Sequence, residues 1–106
     1  MAESVYDIAG GDTQIELSGV NRLNELVGAQ VNQVVGDVLD GNITLKLVQS
    51  EDGLEFHPLP ERPILMEAAD LSVLLQSCSF AASRLYLDIE VGTATSGSIQ
   101  FSIFSK

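Results

Sequence analysis

Leu85-Tyr86-Leu87-Asp88-Ile89-Glu90-Val91 alternates apolar and polar side chains without a break. Successive side chains of a strand point to opposite faces, so this period of two demands a strand with one buried and one solvated face. Three other segments carry the same pattern: Thr13-Gln14-Ile15-Glu16-Leu17, Ile43-Thr44-Leu45-Lys46-Leu47-Val48 and Ser98-Ile99-Gln100-Phe101-Ser102-Ile103-Phe104. One-sided alternation belongs to an antiparallel sheet with a single face on the core. The inward set is then Ile15 and Leu17, Ile43, Leu45 and Leu47, Leu85 to Val91 at every second position, and Ile99, Phe101 and Ile103. Glu16, Thr44, Lys46, Tyr86, Asp88, Glu90, Gln100 and Ser102 point outward, and Phe104 falls in phase with them.

Turn chemistry separates the strands. Ala9-Gly10-Gly11-Asp12 suits a hairpin between strands at 4–8 and 13–17, because glycine reaches positive φ without a steric penalty. Glu51-Asp52-Gly53 turns the strand at 43–48 into a returning strand, Leu54 to His57, which Pro58, Pro60 and Pro63 then stop. Gly92 to Gly97 is a polar loop ahead of the last strand, and residues 85–104 read as a closing hairpin.

Two stretches carry helical spacing. Val20, Leu23, Val27, Val31, Val34 and Val38 step by three and four residues, with Ser18 as a cap, which predicts a helix over about 19–39. The valines and the interior Gly28 and Gly36 leave a second reading open, in which the helix stops near Gly28 and Gln30 to Val35 start a strand. A second helix is predicted from about Pro63 to Ala82, with Leu71, Leu74, Leu75, Cys78 and Ala82 on one face and Asp70 as an alternative cap. The expected fold is therefore α+β: one domain, residues 1–106, in which two helices cover one face of a mainly antiparallel sheet, in the order ββ-α-ββ-α-ββ.

Charge narrows the functional classes. Fifteen acidic residues stand against five basic ones, a formal net charge of −10. The basic residues, Arg22, Lys46, Arg62, Arg84 and Lys106, are scattered, so a phosphate backbone or an anionic membrane surface is a poor match. Cys78 is the single cysteine, which fits a reducing compartment, and the acidic N-terminal residues lack the features of a secretory signal. A cytoplasmic location is the expectation.

Chemistry is sparse. His57 is the lone histidine, Cys78 sits on an apolar pattern without a flanking base, and neither a zinc set nor a phosphate-binding glycine loop is present. Asp37, Asp40 and Asn42 lack calcium-loop spacing and read as a turn. No cofactor, metal or catalytic residue is expected.

The leading expectation is a non-catalytic, inhibitor-like or chaperone-like module that binds a basic protein partner through Glu16, Tyr86, Asp88 and Glu90 on the open sheet face. A self-assembling structural subunit is the alternative. It would use the C-terminal strand as an edge, or Gly28, Gly36 and Phe104 as a homodimer contact; Gly28 and Gly36 would share one helical face with Asn32. A third reading is a small enzyme or ligand-binding domain acting through Asp88, Glu90, Tyr86 or His57, and it requires a pocket around at least two of them.

Overall fold

The pairing of the chain is nearly symmetric about Gly53. In the computed structural model, which describes residues 3–17, 26–59, 62–77 and 82–105, Val48 faces Pro58, Val27 faces Ser77, Thr13 faces Ile89 and Glu3 faces Ser102. Each partner in these ladders lies almost as far before Gly53 as the other lies after it. The chain is thus one long antiparallel hairpin. It is then wrapped, so that Val31 also faces Phe101 and Lys46 faces Asp88.

Nine strands result among the described residues: β1 (Glu3–Asp7), β2 (Thr13–Glu16), β3 (Val27–Gln33), β4 (Ile43–Ser50), β5 (His57–Pro58), β6 (Ile64–Met66), β7 (Ser72–Ser77), β8 (Arg84–Val91) and β9 (Ser98–Ser105). One sheet has the order β1-β9-β3-β7. The other has the order β2-β8-β4, with β5 and β6 sharing the far side of β4. Counting β5 and β6 as one strand interrupted between Pro58 and Pro63, this is the strand order of a jelly roll, the double sheet wound from a folded-over hairpin.

This overturns the expected α+β sandwich. The only helix among the described residues is one 3-10 turn, Ile8–Gly10. The first predicted helix becomes β3 from Val27 onward, while Val20 and Leu23 lie outside the described residues. A spacing of four satisfies both a helix and a strand, so Val27 and Val31 support either. The residues between them decide: Val27, Ala29, Val31 and Gln33 point inward, and Gly28, Gln30 and Asn32 point outward. The second predicted helix becomes β6, a turn and β7. Asp70 closes that turn, its carboxylate accepting the Glu67 N–H at 2.9 Å, and Cys78 lies outside the described residues.

Two expected hairpins are also corrected. β1 and β2 belong to different sheets, as do β8 and β9, so Ile8–Asp12 and Gly92–Gly97 are corners that cross the sandwich. β5 spans only His57 and Pro58, and Leu54 is exposed.

The core follows the alternation. Ile43, Leu45, Leu47, Leu85, Leu87, Ile89, Ile99 and Phe101 are buried between the sheets with Val27, Ala29 and Val31. The second sheet supplies the cover that helices were expected to give. Each fully buried Leu or Ile contributes roughly 1.5–3 kcal/mol of transfer free energy.

Gly28 is fixed by this packing. A Cβ there would lie 2.1 Å from the Leu75 carbonyl oxygen and 2.7 Å from the Phe104 ring. Phe104 stands opposite Gly28 on β9, half-buried over the bare backbone. Gly36 has a different constraint: it is the third residue of the turn Val34–Asp37, at φ 89°, a conformation that disfavours any side chain. The shared helical face of Gly28, Asn32 and Gly36 does not exist, because two of the three lie in a strand and the third in a turn. Gly28→Ala is expected to lower stability by about 1–3 kcal/mol through overpacking. Urea unfolding checks this, and a variant as stable as the parent contradicts it.

Candidate functional site

The sequence-predicted face is assembled on one sheet. Glu16 pairs with Tyr86, Gln14 with Asp88 and Thr44 with Glu90, so Glu16, Tyr86, Asp88 and Glu90 share the outer side of β2 and β8. Their chemistry is largely satisfied within the fold. Asp88 accepts a hydrogen bond from Gln14 Nε2 at 2.7 Å and lies 3.9 Å from Lys46 Nζ. Glu16 is near Arg84, whose guanidinium rests against the Tyr86 hydroxyl and has its charged form favoured first by Tyr86, then by Glu16 and Asp52. Two cations therefore stand among the three acids.

Tyr86 is no open anchor: it is only 7% exposed. Phe56 packs edge-on against it, with ring centroids 4.9 Å apart, and Gly53 passes over its hydroxyl. Asp52 holds this covering loop by accepting the N–H groups of Leu54 and Glu55, which keeps its carboxyl below the ordinary range, the Glu55 bond contributing most.

Two hollows stand out on the surface. An open one of about 390 Å³ is lined by Gln49, Glu51, Asp52, Glu55, His57 and Ala82. A smaller one lies between the sheet edges at Leu47 and Leu75. Of Asp88, Glu90, Tyr86 and His57, only His57 lines either, so neither hollow gathers two of them. Among the described residues no group of three or more His, Cys, Asp or Glu side chains could hold a metal ion. No helix among them is long and apolar enough to cross a membrane.

A different surface emerges where the β1–β2, β3–β4, β6–β7 and β8–β9 connections meet at one end of the sandwich. Residues 7–12, 34–42, 67–71 and 92–97 contain six carboxylates and no Lys, Arg or His. Backbone bonds knit these loops together: Ile8 N–H to Gly97 C=O at 2.9 Å, Gln33 N–H to Leu71 C=O at 3.1 Å and Asp40 N–H to Ser96 C=O at 3.3 Å.

Five of the six acids serve as pins. Asp7 accepts the Ala9 N–H at 2.9 Å and Asp12 the Val91 N–H at 2.7 Å. Asp37 accepts the Ser98 hydroxyl, and Asp70 closes the β6–β7 turn. Asp40 accepts the Thr95 hydroxyl and the N–H groups of Thr95 and Ser96 at 2.7 and 3.0 Å. The Thr95 hydroxyl, then the two backbone N–H groups, hold the Asp40 carboxyl well below the usual carboxylate range.

Gln33 organises the same end from inside. Its amide nitrogen donates to the carbonyls of Ala68 and Asp70, and its amide oxygen accepts the N–H of buried Leu39 at 2.8 Å. Around it the loops hold three apolar side chains in solvent: Val35 at 98% exposure, Leu71 at 77% and Val38 at 59%. The Leu71 backbone pairs with Gln33, two residues before Val35. The helical spacing placed Val38 and Leu71 on buried faces, so their exposure was not foreseen. The available signal was the local density of acids without a base.

Comparison with known protein families, with curated proteins and with solved structures finds no match to this chain.

Gln33→Ala is expected to cost about 1–3 kcal/mol, because it leaves the buried Leu39 N–H without its acceptor; chemical unfolding checks the loss. Asp40→Ala is expected to speed amide exchange at Thr95 and Ser96. The lowered folded pKa means that the Asp40 contribution is present above the unfolded value of about 3.9 and is lost as pH falls through the folded one. The difference between parent and variant is therefore full at neutral pH and shrinks in strong acid, as an exchange series over pH would show.

Proposed function

We propose that the protein is a non-catalytic protein-binding module, and that its contact surface is the acid-rich loop end rather than the outer face of β2 and β8. The observation that carries this reading is the exposure of Val35, Val38 and Leu71 beside Asp37, Asp40, Glu67 and Asp70. Protein interfaces combine an apolar centre that expels water with a polar rim that sets orientation and partner choice. Apolar side chains carried on loops pinned by hydrogen bonds lose less freedom on binding than those on unpinned ones, which favours affinity.

The partner that fits has an apolar patch bordered by Lys or Arg. Six carboxylates at this end, with no base among them, repel anionic partners and steer a cationic one. The outer face of β2 and β8 supports the reading less well, since Lys46 and Arg84 offset its acids and Tyr86 is covered.

Affinity capture from a native lysate, with the intact protein and a Val35→Asp/Leu71→Asp variant, tests this. The expected result is a basic partner held by the parent, released as salt rises and bound at least ~10-fold more weakly by the variant. Equal capture by both proteins, or a complex indifferent to salt, contradicts the proposal.

A further inference from the structure

Among the described residues the sandwich has four edges: β1 and β7 in one sheet, β2 and the β5/β6 pair in the other. An edge strand offers N–H and C=O groups to any other strand, and proteins blunt it with charge, proline or brevity. Three of these edges are blunted. The β5/β6 edge carries Pro58 and Pro63, β2 is four residues long and ends in Glu16, and β1 is five residues long and ends in Asp7. β7 has six residues, Ser-Val-Leu-Leu-Gln-Ser, with no charge, proline or glycine.

Register shows which groups β7 presents. The bond from Gln33 N–H to Leu71 C=O fixes the phase of the β3–β7 ladder. Val73 and Leu75 therefore turn their backbone groups toward β3, and Ser72, Leu74 and Gln76 turn theirs outward. Beside this edge the sheets part over a cavity of about 190 Å³ lined by Leu47, Arg62, Ile64, Leu74, Leu75 and Gln76. Leu74 stays 52% exposed.

We infer that β7 is a homotypic docking edge, on which a second copy of this chain lays its own β7 antiparallel and joins two four-stranded sheets into one of eight strands. Charge and register single out this occupant. A copy brings a net charge of −10 and can approach only where like charges do not meet. With the two-fold axis at Leu74, Leu74 faces the partner's Leu74, Ser72 faces the partner's Gln76 and Val73 faces the partner's Leu75. Apolar meets apolar, polar meets polar, and no charged side chain enters the ladder. An isologous pair uses each edge once, so the assembly closes as a dimer.

This inference is independent of the loop-end reading, and salt separates the two. Screening relieves repulsion between acidic copies, so added salt strengthens the dimer while it weakens a complex with a basic partner.

Sedimentation equilibrium and amide exchange on the full chain, over a range of concentrations, test it. The expected result is a reversible dimer in which the Leu74 and Gln76 amides gain protection. Leu74→Lys sets two ammonium groups face to face on the axis and is expected to weaken the dimer at least ~10-fold. Val35→Lys makes the same charge change on the loop end and leaves the dimer intact. A protein that stays monomeric at every concentration and salt, a dimer undiminished by Leu74→Lys, or one lost equally in both variants overturns the inference.

Discussion

Self-pairing about Gly53 is the constraint on which the remaining structure depends. Gly53 sits at φ 77° in the loop between β4 and β5, and the ladders on either side of it run outward to the first and last described strands. Wrapping this hairpin sets the apolar side of one sheet against the apolar side of the other, so no helix is needed to close the core. It also fixes where the loops go. Four of the connections that cross between the sheets collect at one end, which is why Asp12, Gln33 and Asp40 can tie segments that lie far apart in the sequence. Most of these contacts are non-local, so much of the closure entropy is spent before they form, a topology associated with slow folding.

The acidity has a structural origin that composition alone does not disclose. Carboxylates at the loop end accept backbone N–H groups that corner geometry leaves without a ladder partner. An anion is a strong acceptor for such groups, and its charge remains as a by-product. The outer side of β3, β7 and β9 is different in kind. It carries Gln30, Asn32, Ser72, Leu74, Gln76, Gln100, Ser102 and Phe104, none of them charged. Charge is thus absent from this outer side, with Arg62 beside the β7 edge, and the two proposed contacts make opposite electrostatic demands.

The strands at 13–16, 43–50, 84–91 and 98–105 were legible because alternation through several residues has one physical reading. The inward positions followed from it, and Leu45, Leu87, Ile89 and Ile99 are fully buried. The segment from Val27 to Gln33 was not legible in the same way. Its valines fall four apart, a spacing that both periods share, and Gly28 breaks the outward series with a residue whose reason is the neighbouring Phe104 ring. Leu71 and Leu74 misled for another reason: they are apolar yet exposed, so their spacing described a surface and not a core. The outward placement of Glu16, Asp88 and Glu90 was readable from the alternation. The covering of Tyr86 was not, because it depends on Phe56 and Gly53 folding back across the sheet.

Nuclear Overhauser contacts between strands test the wrapped hairpin most directly. A wrapped hairpin predicts backbone contacts linking Thr13 with Ile89 and Val27 with Ser77 along the hairpin, together with Val31 to Phe101 and Lys46 to Asp88 across the wrap. Sequential helical contacts running through residues 26–38, with no contact between Val31 and Phe101, would contradict it.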